Sequence, residues 1–130
     1  MEAQAIRELT LPVTVHLAAV LPAVVIGAAQ LAAPKGTPMH RRLGWAWVLS
    51  MAVAAVSSFW IFGINSQGGF SVIHLLSAWV LINLACAIWH IRRGNVRAHK
   101  YFMIGTFLGL AGAGLGALAP GRFLAQLLFA

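Results

Sequence analysis

The sequence predicts an all-α integral membrane protein, an up-down bundle of four transmembrane helices with both termini outside. Three observations lead to this fold class. The apolar residues fall in four long stretches, the connectors between them are short, and the basic residues concentrate in two of those connectors. Of the 130 residues, 61% are hydrophobic and only 8% are charged. A water-soluble domain of this size would lack the polar residues needed to cover its exterior.

Each apolar stretch is long enough to cross the hydrocarbon core of a bilayer. We expect a single transmembrane domain over residues 1–130, with a short interfacial tail at 121–130. The helices are expected at about 11–32, 38–63, 72–91 and 96–118. The residues expected to cap their N-termini are Thr10, Thr37, Ser71 and Asn95. The first stretch follows a flank with two glutamates, which is atypical of a signal peptide, so we interpret it as a retained helix.

The basic residues predict the orientation of the bundle. Seven of the nine lie in or beside the first and third connectors: Lys35, Arg41, Arg42, Arg92, Arg93, Arg97 and Lys100. The second connector, INSQGGF, has none. The positive-inside rule therefore places the first and third connectors in the cytoplasm, and both termini in the periplasm. Basic residues at membrane boundaries meet lipid headgroups, so the net charge of +7 does not indicate nucleic-acid binding.

Four of the five histidines lie within the first two turns of a predicted helix. Because successive helices run in opposite directions, His16 and His74 should lie near the outer face, and His40 and His99 near the inner face. Each of the four shares a helix stripe with small or weakly polar residues, which membrane helices turn toward one another. His90 lies on the opposite face of the third helix, and we interpret it as an interfacial side chain beside the basic loop.

On each helix, the residues at helical spacing from the histidine form a stripe along one face. On the first helix the stripe is Ala19, Ala23, Gly27 and Gln30, and on the second it is Gly44, Trp47, Met51, Ala54 and Ser58. On the third it is Ser77, Ala78, Leu81 and Ala85, and on the fourth it is Met103, Thr106, Leu110 and Ala113. All of these residues are expected to face the interior of the bundle.

Buried histidines near helix N-termini should be neutral, which is the form that a metal or haem iron requires in a ligand. Two histidines make a poor closed zinc site, and a copper site could recruit only Met103. Haem needs only axial ligands from the protein, so haem b held by His16 and His74, and also by His40 and His99, is one hypothesis. Two such sites would lie about 20 Å apart. The alternatives are hydrogen bonds between helices, or binding of lipid phosphate by the inner pair.

A glycine stripe runs along the fourth helix and consists of Gly105, Gly109, Gly112 and Gly116. This spacing is typical of helices that approach each other closely, within the bundle or with a homodimer or membrane protein partner.

The sequence has few other residues that indicate a specific chemistry. No acidic residue lies within any span, which argues against a carboxylate-based transporter. The sequence has no phosphate-binding glycine loop and no HExxH motif, and its one cysteine, Cys86, cannot form an internal disulfide.

Four short motifs extend this interpretation: HRRLGWAWVL (40–49), FSVIHLLS (70–77), GNVRAHKYFM (94–103) and LAPGR (118–122). Together they resemble small bacterial predicted membrane proteins of a domain-of-unknown-function family. That resemblance covers most of the chain and implies a four-span protein of the bacterial inner (cytoplasmic) membrane. More loosely, the paired histidines are similar to transmembrane b-type cytochromes and ferric-reductase-like domains, in which histidine pairs at two depths hold two haems.

Two functions therefore follow as hypotheses. The first is a small haem b-binding electron-transfer protein that exchanges electrons with quinone or with a protein partner. The second is a non-catalytic accessory subunit or assembly factor of a larger membrane complex. Neither hypothesis assigns an enzymatic reaction to particular residues.

Overall fold

The computed structural model describes residues 11–61 and 72–118, and all of the regular structure in those ranges is helical. Four helices follow one another: α1 (Leu11–Ala32), α2 (Pro38–Ser58), α3 (Val72–Arg92) and α4 (Val96–Ala117). The two described connectors, between α1 and α2 and between α3 and α4, each pass through a glycine with positive φ, Gly36 and Gly94. Glycine adopts this conformation without the steric cost that a Cβ would impose.

Helices α1 and α2 pack extensively and run in opposite directions. At one end, the ring of His16 near the start of α1 lies 2.7 Å from the carbonyl of Ala54 near the end of α2. At the other end, Gln30 of α1 donates to the carbonyl of His40 in the first turn of α2, at 2.8 Å. Midway, the indole Nε1 of Trp47 donates to a carbonyl of α1 at 3.0 Å. The short connector enforces this antiparallel arrangement.

Helices α3 and α4 form the second antiparallel pair. His99, in the first turn of α4, lies 2.9 Å from the carbonyl of Ala87 near the end of α3. Farther along, Trp79 of α3 packs against Gly109 of α4, where a built Cβ would lie 2.8 Å from the indole ring. The absence of a side chain at Gly109 is therefore what lets the indole approach this helix.

The two pairs join mainly between α2 and α3, and α1 contacts α4 least. The core at this junction contains a tryptophan, a methionine and several aliphatic residues, namely Ala23, Trp47, Val48, Met51, Ala55, Val80, Leu84 and Leu110. Phe107 of α4 packs against this core beside Gly27 of α1. Residues from all four helices thus contribute to one apolar interior.

The start of α2 and the start of α4 have the expected caps. The hydroxyl of Thr37 accepts a hydrogen bond from the amide of His40, and the side chain of Asn95 accepts one from Ala98. These bonds satisfy amides that have no partner inside the helix. The expected caps Thr10 and Ser71, and the expected tail at 121–130, lie outside the described residues.

Helix α2 ends at Ser58, so the prediction that it continues to residue 63 is wrong. The hydroxyls of Ser57 and Ser58 donate to the carbonyls three residues earlier, at 3.0 and 2.6 Å. Serine bonds of this kind compete with the regular helical pattern. The amides of residues 59–61 then bond to carbonyls three residues back, which is the tighter geometry common at helix ends.

The predicted interior stripes hold for α1 and α2 and only partly for the other two helices. Ala19, Ala23 and Gly27 are buried on α1, and on α2 the predicted positions from Trp47 to Ser58 are also buried. On α3, Ala85 was expected inside but is exposed, while Asn83 and Ala87 are buried. On α4, Ala113 is likewise exposed. Helix α3 lies between two neighbours, so it buries a wider face than one stripe.

Much of the apolar surface faces outward. Two of the described helices, α1 and α3, are long and apolar enough to cross a membrane. Large side chains point away from the core along every helix, for example Leu21, Leu49, Leu75 and Leu108, each more than 60% exposed. A soluble protein rarely exposes so many large apolar residues in contiguous patches. A lipid environment removes that cost.

Candidate functional site

The two ends of the bundle carry different polar residues. At one end, His16, Ser57, Ser58, His74 and Ser77 surround the last turn of α2, and we call this group the serine-histidine end. At the other end are Gln30, His40 and His99, together with the basic connectors, and we call this the basic end. The four histidines expected at the two faces are therefore divided between these ends as predicted from the alternating helix directions.

His16 and His74 both bond to α2. The Nδ1–H of His16 donates to the carbonyl of Ala54 at 2.7 Å, and Ser57 donates to the same oxygen at 3.0 Å. The Nε2–H of His74 donates to the carbonyl of Phe59 at 3.3 Å. His74 is 3% exposed, whereas His16 is half-buried. Each histidine thus connects a neighbouring helix to the end of α2, which is one of the structural roles considered from the sequence.

A serine pair completes this end of the bundle. The hydroxyls of Ser58 and Ser77 bond to each other across the contact between α2 and α3, and both are buried. Each hydroxyl also lies within bonding distance of a carbonyl of its own helix, and with two protons for three contacts, one hydroxyl donates to the other while that one donates to its carbonyl. Because hydroxyls both donate and accept, the pair can satisfy its members without water.

Replacing Ser77 with alanine is expected to lower the free energy of unfolding by about 1 kcal/mol, as measured for hydrogen bonds between membrane helices. Thermal unfolding in detergent would measure the change for Ser77→Ala, Ser58→Ala and the double variant. We expect the double variant to lose less than the sum, because both single changes remove the same bond. Ser50→Ala is the control, since Ser50 is a half-buried serine of α2 outside this pair. Additive losses would contradict the pairing.

The basic end contains two buried polar atoms without a hydrogen bond. The amide Nε2 of Gln30 donates to the carbonyl of His40, but its Oε1 has no partner, and neither does Nδ1 of His40. Leaving a buried polar atom unpaired costs about 1–3 kcal/mol. Such atoms often mark a position where a ligand or water completes the site.

His40 and His99 both lie at the basic end, and each has one ring nitrogen available. Nδ1 of His40 is buried without a hydrogen-bond partner. The Nδ1–H of His99 donates to the carbonyl of Ala87 at 2.9 Å, which leaves its Nε2 available for another partner.

These hydrogen bonds bear directly on the ability of each ring to bind iron. His16 and His99 use Nδ1–H toward a carbonyl, the arrangement common among metal-binding histidines because it fixes the ring and frees Nε2. His74 instead donates from Nε2. No three His, Cys, Asp or Glu side chains within the described residues are grouped to hold a metal ion by themselves. Each predicted pair contains one histidine that donates from Nδ1 in this way, His16 in the outer pair and His99 in the inner pair.

His90 also makes contacts within the bundle, beside the basic connector where the sequence places it. Its ring is half-buried and stacks on Phe102 of α4, with centroids 5.4 Å apart and planes 13° apart. It also contacts Trp89 edge-on at 4.8 Å. His90 therefore helps to pack α3 against α4.

The glycine stripe of α4 divides into two parts. Trp79 packs against Gly109 within the bundle, which is one of the two roles considered for the stripe. Gly112 and Gly116 are exposed, and a Cβ built on either would meet nothing within 4 Å. Gly105 is half-buried and equally open. Only part of the stripe is thus used inside the chain.

Gln30 is the site residue that sequence analysis placed on an interior stripe without assigning a role. The sequence contained a signal for it, because Gln30 is the one side-chain amide on α1 and lies one turn beyond Gly27 on the same face. Lys35 also has a role that was not foreseen. Its ammonium group donates to the carbonyls of Gln30, Leu31 and Ala33, where α1 ends. This satisfies carbonyls that have no amide partner.

Comparison with known proteins gives one result. No curated protein and no solved structure matches the chain. Residues 13–127, which include all of the four helices except the first two residues of α1, and both groups of histidines, match a family described as predicted membrane protein (DUF2306). This agrees with the exposed apolar surface and with the two helices of spanning length. The chain belongs to the DUF2306 family of predicted membrane proteins.

Proposed function

We propose that all four helices cross the bacterial inner membrane and that the basic end faces the cytoplasm. Two kinds of observation support this multi-pass arrangement. The basic connectors lie at one end of the bundle, as the positive-inside rule requires of cytoplasmic loops. Exposed aromatic residues lie toward both ends, with Trp45, Trp89 and Tyr101 near the basic end and Trp60 near the other. Such residues are typical of the membrane interface. Both termini then lie in the periplasm.

Within that arrangement, we propose that the chain is a small electron-transfer protein that binds haem b through histidines. The observation that carries this proposal is the inner pair. His40 and His99 come from different helices at the basic end, Nδ1 of His40 is buried without a partner, and the Nδ1–H of His99 donates to a carbonyl so that its Nε2 stays available. His16 and His74 are the proposed second pair. For His74 to bind iron through Nε2, its bond to Phe59 would have to be exchanged.

Haem, when bound, supplies reversible one-electron chemistry. The chain's own residues would orient the ligands and exclude water. The carbonyl of Ala87 orients the ring of His99, and the apolar core between the ends excludes water. Quinone, which dissolves in the bilayer, is the proposed small-molecule donor or acceptor, and a membrane protein is the other possible exchange partner.

A second candidate function is an accessory subunit or assembly factor of a larger membrane complex. The observation that favours it is the open part of the glycine stripe, because Gly105, Gly112 and Gly116 leave room for another helix. A partner helix or a second copy of this chain could pack there. The histidines would then serve only to join the four helices.

The absorbance spectrum of the purified protein distinguishes these functions. The full chain would be produced in cells supplied with a haem precursor, purified in detergent, and measured oxidised and then reduced with dithionite. We expect a Soret band with sharp α and β bands, and at least one haem per chain by pyridine haemochrome assay. A colourless chain that co-purifies with a large complex would instead support the accessory role.

A further inference from the structure

The basic end carries a concentration of positive charge that nothing in the described structure neutralises. Its seven cationic side chains are Lys35, Arg41, Arg42, Arg92, Arg93, Arg97 and Lys100, and all are exposed. The only acidic residues in the sequence are Glu2 and Glu8, and both precede the described residues. Within residues 11–61 and 72–118, therefore, no carboxylate side chain faces these cations. Charges of one sign grouped this closely repel one another unless anions come from outside.

Two of the arginines are held in place by aromatic rings. The guanidinium carbon of Arg93 lies 4.4 Å from the ring centre of Trp89, and that of Arg97 lies 5.9 Å from the ring centre of Tyr101. Both rings are more than half exposed. A cation over an aromatic face loses less side-chain freedom when it binds an anion, because the ring has already restricted it.

The position of these arginines identifies the anion. Large apolar residues are exposed immediately beside them, including Ile91 and Val96. Tryptophan and tyrosine favour the boundary between hydrocarbon and headgroups, so this end of the bundle lies at that depth. The anions available there are the phosphate groups of lipids.

We propose that the basic end is a binding surface for the headgroups of anionic phospholipids, with Arg93 and Arg97 as its central residues. The proposal concerns these cations and not His40 and His99 at the same end, so it does not depend on haem binding; it rests on the proposed membrane arrangement. Lys35 contributes less, because its ammonium group is already bonded to the carbonyls at the end of α1.

Native mass spectrometry of the full chain in detergent tests this proposal. Phosphatidylglycerol and phosphatidylcholine with identical acyl chains would be titrated separately, and the Kd of each would be obtained from the populations of lipid-bound protein. We expect the wild-type chain to bind phosphatidylglycerol at least tenfold more tightly. The double variant Arg93→Gln/Arg97→Gln should weaken phosphatidylglycerol binding about 25-fold, or about fivefold for each arginine. Its binding of phosphatidylcholine should not change.

The matched control is Arg7→Gln/Arg122→Gln, which removes the same charge from residues outside both basic connectors. Its Kd for phosphatidylglycerol should stay within twofold of the wild-type value. Arg93→Lys/Arg97→Lys retains the charge, and should retain most of the affinity even where the glutamine variant folds poorly. Equal Kd values for the two lipids in the wild-type chain would overturn the proposal. So would an equal loss in the two glutamine variants.

Discussion

Replacing Gly27 with alanine is expected to lower the free energy of unfolding by about 1–3 kcal/mol, the usual cost of adding volume to a packed core. A Cβ at this position would lie 2.6 Å from two ring carbons of Phe107 and 2.8 Å from Nε1 of Trp47. The indole cannot easily move away, because Nε1 donates to the carbonyl of Ala23 at 3.0 Å. The clash would push α1 away from α4, and the contact between these two helices is already the smallest between neighbouring helices of the bundle. Thermal unfolding in detergent measures the loss.

Gly105→Ala is the control for this change. A Cβ there would meet nothing within 4 Å, so alanine should stabilise the chain by about 0.5–1 kcal/mol through its better helix propensity. Combining Gly27→Ala with Phe107→Leu should cost less than the sum of the two changes, because the smaller side chain relieves the clash. If Gly27→Ala and Gly105→Ala had the same effect, the close packing around Gly27 would be refuted.

The second large effect is expected for Trp47→Ala, which should cost about 3–5 kcal/mol. The indole is 4% exposed, fills the centre of the core, and holds α1 to α2 through its bond to Ala23. Alanine would leave a cavity in the core and would also remove the hydrogen bond to the carbonyl of Ala23. Chemical or thermal unfolding of the detergent-solubilised protein measures this change.

Trp45→Ala provides the comparison, because Trp45 lies only two residues away but is 50% exposed. We expect it to cost less than 1 kcal/mol, in line with surface substitutions. Trp47→Phe separates packing from hydrogen bonding, since it retains most of the ring volume and loses the N–H. Similar losses for Trp45→Ala and Trp47→Ala would show that the indole of Trp47 is not in the core.

The sequence predicts the first two helices better than the last two, and the reason is physical. Helix α1 packs mainly against α2, so one stripe at helical spacing describes the buried face that runs from Ala19 to Gly27. Helix α3 packs against α2 through Ser77 and against α4 through Trp79. Helix α2 also has two neighbours, but both contact its predicted stripe, through Trp47 and Ser58. On α3 the two contacts lie on different faces, so a single stripe cannot describe both.

Local hydrogen bonds account for the error at the end of α2. The apolar residues continue beyond Ser58, so hydropathy alone extends the helix to residue 63. Where the serine hydroxyls bond back to their own helix, the chain tightens and leaves the α-helix. Paired serines in an apolar run are a signal for this, although hydropathy does not register it.

The candidate site was predictable in its composition but not in its bonding. Alternating helix directions are enough to place His16 with His74, and His40 with His99, at opposite ends. Which ring nitrogen each histidine uses depends on the rotation of its helix and on the carbonyl that faces it. The carbonyls of Ala54 and Ala87 carry no sequence signal, because every residue has one. The unpartnered Oε1 of Gln30 likewise follows from packing.

The most direct test of the proposed function compares the haem content and the reduced-minus-oxidised spectrum of His40→Ala and His99→Ala with those of His90→Ala. His90 is a suitable control because it lies near the same end of α3 as Ala87 and packs on Phe102 without a proposed ligand role. We predict that each of the first two variants loses the haem of the inner pair, while His90→Ala retains the wild-type bands. Wild-type haem content in all three variants would contradict ligation by His40 and His99, and a wild-type protein without haem bands would contradict the electron-transfer function itself.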